Sequence, residues 1–152
     1  FIKSMRGSNV DATLYYLARM IDAGEDPKFI ARRMVIFASE DIGLAGNGAL
    51  GLALNAFQAV ERIGMPESSY ILFHVATALA KSKKSRQTTD AMHRAQELAK
   101  QYPDAAVPLH LRNAPTSLMK DLGYAKGYKW EANYQHEKGF LPDELSDKKI
   151  FE

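Results

Sequence analysis

Gly46-Asn47-Gly48-Ala49-Leu50-Gly51 fits the spacing G-x-G-x-x-G. In dinucleotide-binding proteins that spacing turns a strand into a helix and brings backbone amides up to a pyrophosphate; Glu67 even falls about 20 residues downstream, where an acid would hold a ribose hydroxyl. The chemistry requires a strand running straight into the glycines. Here the apolar run Met34 to Phe37 continues a helical pattern, and Ser39-Glu40-Asp41 follows before the first glycine. The run therefore reads as a glycine-rich helix entry whose small residues permit close packing, and no cofactor site is assigned to it.

A second candidate is Lys81-Ser82-Lys83-Lys84-Ser85-Arg86, with four cations in six residues. Lys81, Lys83, Lys84 and Arg86 have the chemistry to contact phosphate, so they form the possible DNA-binding loop, with weak and salt-sensitive affinity expected of so small a patch. Placed at the end of a helix, the same cations also complement the carbonyl end of the helix dipole as a solvated loop. His74, His93, His110 and His136 show no H-E-x-x-H or paired E-x-x-H spacing and there is no cysteine, so no metal site is expected. His74 lies inside an apolar run and reads as a buried or half-buried structural histidine. With no G-x-x-x-x-G-K-[ST] loop, no G-x-S-x-G elbow and no thiol, no catalytic residues are assigned and the chain is not expected to be an enzyme by itself.

The elements that must position these residues read as about six helices in an all-α fold. Ser8 with Asp11 suggests a capping box opening the first, whose stripe is Leu14, Leu17, Ala18 and Ile21 and whose end is Gly24. Asp26 and Pro27 open the second, with Ile30, Met34, Phe37 and Ala38 inward. Asn47 to Gly64 forms the third, with Leu50, Leu54, Phe57 and Ile63 lining one face. Tyr70 to Ala80 is apolar nearly all round, which predicts a central helix, too short to span a membrane. Thr88 or Thr89 caps a fifth helix to about Tyr102 with Met92, Ala95, Leu98 and Ala99 inward. Pro103 to Ala114 reads as an extended connection in which Val107, Leu109 and Leu111 alternate as in a short strand or polyproline segment. Pro115 opens a short sixth helix with Leu118, Met119 and Leu122 inward, ending at Gly123. Beyond it, Tyr124, Tyr128, Trp130, Tyr134 and Phe140 interleave with Lys126, Lys129 and Lys138. Such a tail can stack bases or anchor an interface; the preferred reading is that the aromatics pin an irregular segment to the core.

The chain has 152 residues, a formal net charge of +2 and no cysteine. One domain of this length buries roughly 70% of its unfolded surface, so the expectation is a single domain over residues 1–152 that needs no metal or disulfide. The absence of cysteine fits a reducing cytoplasm. The net charge is too small for the whole domain to act as a polycation. Beginning at Phe1, the chain reads as a piece of a larger soluble protein with the missing part upstream.

Five blocks follow one another near the start: Lys3-Ser4-x-Arg6-Gly7-Ser8, Leu14 to Met20, Gly24-Glu25-Asp26-Pro27, Ile30-Ala31-Arg32-Arg33 and Ser39 to Ala45. Others resume at Val107 to Thr116, Leu118-Met119-Lys120-x-Leu122-Gly123-Tyr124, Lys126-Gly127-Tyr128 and Leu141-Pro142-x-Glu144-Leu145. In this order they resemble the C-terminal region of the replication-associated recombination protein A (MgsA) family, AAA+ ATPases similar to clamp-loader subunits and to the Werner-helicase-interacting ATPase. The resemblance implies a helical, clamp-loader-collar-like domain that holds subunits together, as a homotetramer. It implies a DNA-dependent ATPase parent acting at stalled replication forks in the cytoplasm, on the nucleoid, alongside other replication proteins. It also implies that ATP and Mg are handled by an upstream AAA+ core, leaving no cofactor in this chain. The alternative function is a DNA- or partner-binding module using the loop 81–86 and the aromatic tail.

Overall fold

The computed structural model describes residues 1–152 and is all-α: seven α-helices and no strand. They are α1 (Ile2–Arg6), α2 (Val10–Asp22), α3 (Pro27–Phe37), α4 (Ala49–Ile63), α5 (Ser68–Lys81), α6 (Gln87–Gln101) and α7 (Ser117–Asp121). The helix beyond the expected six is α1. The chain divides into two compact units, Phe1–Met92 with Phe151, and His93–Ile150 with Glu152.

In the first unit α5 is the axis, packing against α1, α2, α3 and α4. Leu72, Val75, Ala76, Leu79 and Ala80 are all buried on it, as a helix apolar nearly all round requires. His74 is the exception to the sequence reading, because it sits on the strip of α5 that no helix covers and is exposed. The cap of α2 is Asn9 rather than Ser8. Ser8 lies at φ +55, outside the helix, whereas Asn9 is extended and its Oδ1 accepts from the Ala12 amide at 2.9 Å. At the other end Gly24, at φ +80, lets the Glu25 amide reach Met20 O and its own amide reach Ile21 O, the paired bonds of a Schellman stop. Asp26 then caps α3 through Lys28 N at 2.9 Å with Pro27 next, and Ile30, Met34, Phe37 and Ala38 are buried as the sequence predicts.

The third expected stripe is reversed. Ala49, Ala53, Ala56 and Val60 form the buried face of α4, while Leu50, Leu54 and Ile63 face outward and Phe57 is only half-buried. Alanines recur on this helix with the same period as leucines, so periodicity alone cannot choose between the faces. Close approach decides: α3 and α5 both pack on α4, and small side chains let helix axes come near where leucines would hold them apart.

α6 begins in the first unit and runs into the second, which has little other regular structure. Only Thr89 of α6 is buried; Met92 and Ala99 are exposed, and Ala95 and Leu98 are half-buried, so the expected inward face does not form as a core. The extended reading of 103–114 is also corrected. Leu109–Leu111 is a single 3₁₀ turn with His110 buried, while Val107 and Leu109 are exposed, because the proline-flanked segment folds back so that Ala125 N bonds Leu109 O. Thr116 caps α7 through the Met119 amide, and Leu118 and Leu122 point to solvent, leaving Met119 half-buried. Five turns of the arm from Gly123 to Gly139 use positive φ, at Gly123, Ala125, Gly127, Asn133 and Gly139. Its aromatic rings pack on one another: His110 stacks on His136 at 3.7 Å, and Tyr134 stands edge-on to Tyr128, His136 and Phe140.

Back in the first unit, α3 does not stop at Phe37. It widens into one π-helical turn over Ala38–Ile42, followed by Gly43 at φ +48 and ψ −128, a conformation that a side chain strongly disfavours. The wide turn swings Asp41 inward until it is 2% exposed. There Arg6 Nε donates to Asp41 Oδ1 at 2.5 Å and Nη2 donates to Oδ2 at 3.0 Å, a bidentate pair across 35 residues. These bonds raise the Arg6 guanidinium further above its ordinary range. The backbone is tied at the same point, with Ser85 N donating to Asp41 O at 2.8 Å and Thr89 Oγ1 to Glu40 O at 2.8 Å. Arg6→Ala strands a buried carboxylate, and removing one member of such a pair costs about 3 kcal/mol. Urea unfolding followed by far-UV dichroism should show that loss, and the double variant Arg6→Ala/Asp41→Asn should recover part of it.

Candidate functional site

The basic loop leaves the C-terminus of α5 and enters α6, and its four cations do different things. Lys81 and Lys83 are exposed and make no ion pair. Arg86 Nε lies 3.7 Å from Asp90 Oδ1, a solvent-facing i,i+4 pair. Lys84 turns inward. Its Nζ donates to Ala80 O at 3.0 Å, Leu79 O at 3.2 Å, Ser82 O at 2.5 Å and Ser8 Oγ at 3.1 Å, and lies 5.8 Å from the Phe37 ring centroid. The last carbonyls of a helix have no intrahelical donors, so this ammonium satisfies the end of α5 directly. Burial lowers its pKa below the usual lysine value, against the opposing pull of the Asp41 charge. The loop therefore presents three outward cations and one structural one.

The glycine run and the histidines come apart in space. A π turn and a 3₁₀ turn, not a strand, lead into Gly46-x-Gly48-x-x-Gly51. A Cβ on Gly46 would come within 3.1 Å of the Ile42 side chain, so this glycine serves close packing, whereas Gly48 and Gly51 have open space around them. His74 and His93 are exposed. His110 Nε2 donates to Gly139 O at 2.9 Å, and His136 Nδ1 accepts from Lys138 N at 3.2 Å. No three His, Asp or Glu side chains converge where they could hold a metal ion. No helix is long and apolar enough to cross a membrane.

The aromatic arm divides by role. Tyr134 donates its hydroxyl hydrogen to Gly127 O, and Tyr124 is held by Arg112, whose guanidinium lies 5.4 Å from its ring and reaches its hydroxyl at 3.3 Å. These rings hold the arm together within its own unit, and none of them enters the core of the first unit, to which the sequence reading pins the segment. Trp130 does not join them; it is 96% exposed.

The largest feature that sequence reasoning missed is the outward side of α4. Leu50 and Leu54 are 45% and 44% exposed, Leu44 and Ile63 are exposed nearby in the chain, and no ionisable residue occurs from Ile42 to Val60. An exposed helix carries charges on its solvent face as a rule, about a quarter or more of surface residues. Depletion of charge around exposed large apolar groups is the composition of an interface centre. The signal available in sequence was this uncharged stretch, which pattern reading assigned to internal packing.

Comparison with known proteins accords with this architecture. The family model described as MgsA AAA+ ATPase C terminal matches residues 7–152. ATPase WRNIP1 of Dictyostelium discoideum is 42% identical over 154 residues, which cover 99% of this chain and 18% of that protein. Replication-associated recombination protein A of Haemophilus influenzae is 41% identical over 153 residues, and that of Escherichia coli 40%; each comparison covers 98% of this chain and 34% of the relative. The chain thus spans about a third or less of the length of these relatives. With helices as its only extended regular structure and matched from Gly7 to its last residue, it belongs to the family of MgsA AAA+ ATPase C-terminal regions.

Proposed function

We propose that this chain is an oligomerisation module of an AAA+ ATPase that works on DNA during replication and recombination. One observation carries the reading: α4 turns its alanines into the core and its leucines outward along a stretch with no charge, leaving a face suited to a second copy. Residues 1–152 act as one functional domain and assemble as a homotetramer, the number coming from the family resemblance. ATP and Mg are bound by another part of the parent protein, which the assembly gathers into neighbouring copies around DNA in the cytoplasm. Relatives bearing the name replication-associated recombination protein A support the pathway.

Light scattering at micromolar concentration tests the core of the proposal, and a mass of several chains is expected. Leu50→Glu/Leu54→Glu places charges in the face while leaving the core of α4 untouched, so it should lower the mass with the far-UV dichroism unchanged. A monomeric parent chain would overturn the reading.

A second reading is favoured by the free Lys81 and Lys83 and by the uncovered Trp130: a weak DNA contact added to the assembled module. Few phosphate contacts release few counterions, so binding should be weak and should fade as salt rises. Lys81→Ala/Lys83→Ala/Arg86→Ala should abolish binding in a fluorescence-anisotropy titration with single- and double-stranded oligonucleotides. Lys84 is left intact there because it caps α5. Unchanged affinity in the triple variant would move the contact to the aromatic arm.

A further inference from the structure

α2 shows solvent a second interface-like face, on the flank of α5 away from its contact with α4. While Thr13 and Leu17 point into the core, Tyr15, Tyr16 and Arg19 point out. The two tyrosine rings meet edge to face at 5.5 Å, and the Arg19 guanidinium lies 6.0 Å from the Tyr15 centroid, an arrangement that stiffens all three side chains. Between α2 and α5 lies an open groove of about 500 Å³, lined by Tyr15, Arg19, Asp22, Ser69 and Phe73, and next to Ser69 in the chain α5 carries Tyr70, which is 83% exposed. Tyrosine and arginine supply much of the energy at protein interfaces because they cover a large area with few rotatable bonds and keep a polar tip.

The charges on this face specify the occupant. Arg19 and Asp22 lie on α2 three residues apart, both are exposed, both line the groove, and neither forms an ion pair within the chain. A uniformly acidic or basic partner would satisfy one of them and face the other with like charge. The same face rotated by 180° satisfies both, since in a two-fold contact the first residue of each copy meets the second residue of the other. We propose that the α2–α5 face binds the α2–α5 face of a second copy of this chain, with Arg19 opposite Asp22 of that copy twice over and the tyrosines packed between. The inference takes from the proposed function only that the chain self-associates; the face is not the one on α4. Two different two-fold contacts with perpendicular axes close at four copies.

Sedimentation velocity of the chain over a concentration series decides it. Arg19→Asp and Asp22→Arg should each weaken association about tenfold or more, since close like charges across an interface are strongly unfavourable. The double swap Arg19→Asp/Asp22→Arg should return it to within about threefold of the parent chain, because the two-fold contact is then restored with the signs exchanged. Asp22→Arg also suits the C-terminal end of α2, so a weakened association in that variant is not a folding defect. Tyr70→Ala should weaken association with no change in dichroism. If the parent chain associates, Leu50→Glu/Leu54→Glu disrupts it and the single charge reversals change nothing, the α4 contact stands and the α2–α5 contact is overturned. A double swap no better than the single reversals overturns it equally. A parent chain that stays monomeric at every concentration sinks both.

Discussion

A carboxylate held out of water by one guanidinium organises the first unit. Asp41 reaches its buried place only because α3 widens by one residue per turn at Ala38–Ile42, and that widening leaves the chain pointed at Gly43, whose backbone angles exclude a side chain. Arg6 then fixes α1 against the turn, while the amide of Ser85 and the hydroxyl of Thr89 fix the start of α6 to the carbonyls of Asp41 and Glu40. Three segments far apart in sequence thus meet at two consecutive residues. A buried ion pair is a poor source of net stability compared with apolar packing, but it rejects every arrangement that leaves the carboxylate unpaired. Because Ser85 and Thr89 are tied to the same turn, the loop carrying Lys81, Lys83 and Arg86 ends at a fixed point.

Lys84 extends the same logic to the loop itself. A lysine that donates to three carbonyls at the end of α5 cannot also sample solvent freely, so the loop has a fixed root. The cations on either side of it are presented from a defined position, which matters more for a weak contact with phosphate than their number does. The α4 leucines follow a related rule: positions that do no packing inside the chain are where a surface is free to specialise.

How far the sequence could be read depended on whether a local rule had a competitor. The second expected helix has its cap, its proline and all four of its expected inward residues in place, with Ala31 buried beside them, because Asp26-Pro27 has one sensible use and the stripe of Ile30, Met34, Phe37 and Ala38 has no rival face. The first helix forms with its cap off by one, since Ser8 and Asn9 are both capping residues and only the left-handed backbone at Ser8 separates them; of its expected stripe only Leu17 is buried, with Leu14 and Ile21 half-buried and Ala18 exposed, while Thr13 takes the inner position. On α4 two equally periodic faces competed, and helix spacing, a tertiary property, chose the small one. The Arg6–Asp41 pair was invisible because nothing local marks an acid that will be buried by a π turn. At the candidate site the four loop cations were legible as charges, but the inward turn of Lys84 depends on carbonyls that only the folded helix end exposes. The family resemblance was legible because it rests on residue order, which survives whatever the side chains do.

Trp130 has a consequence for how this molecule reports on itself. It is the single tryptophan of the chain and almost wholly solvated, in the arm of the second unit and far in sequence from the helices that make the core. Its emission starts out like that of a free indole in water and has little room to shift when α2 to α5 melt. Fluorescence and dichroism will then trace different transitions in the same tube, and their disagreement is no sign of a folding intermediate. The same solvated ring makes a built-in optical probe of the opposite event: only something settling over the arm can drive its spectrum to the blue.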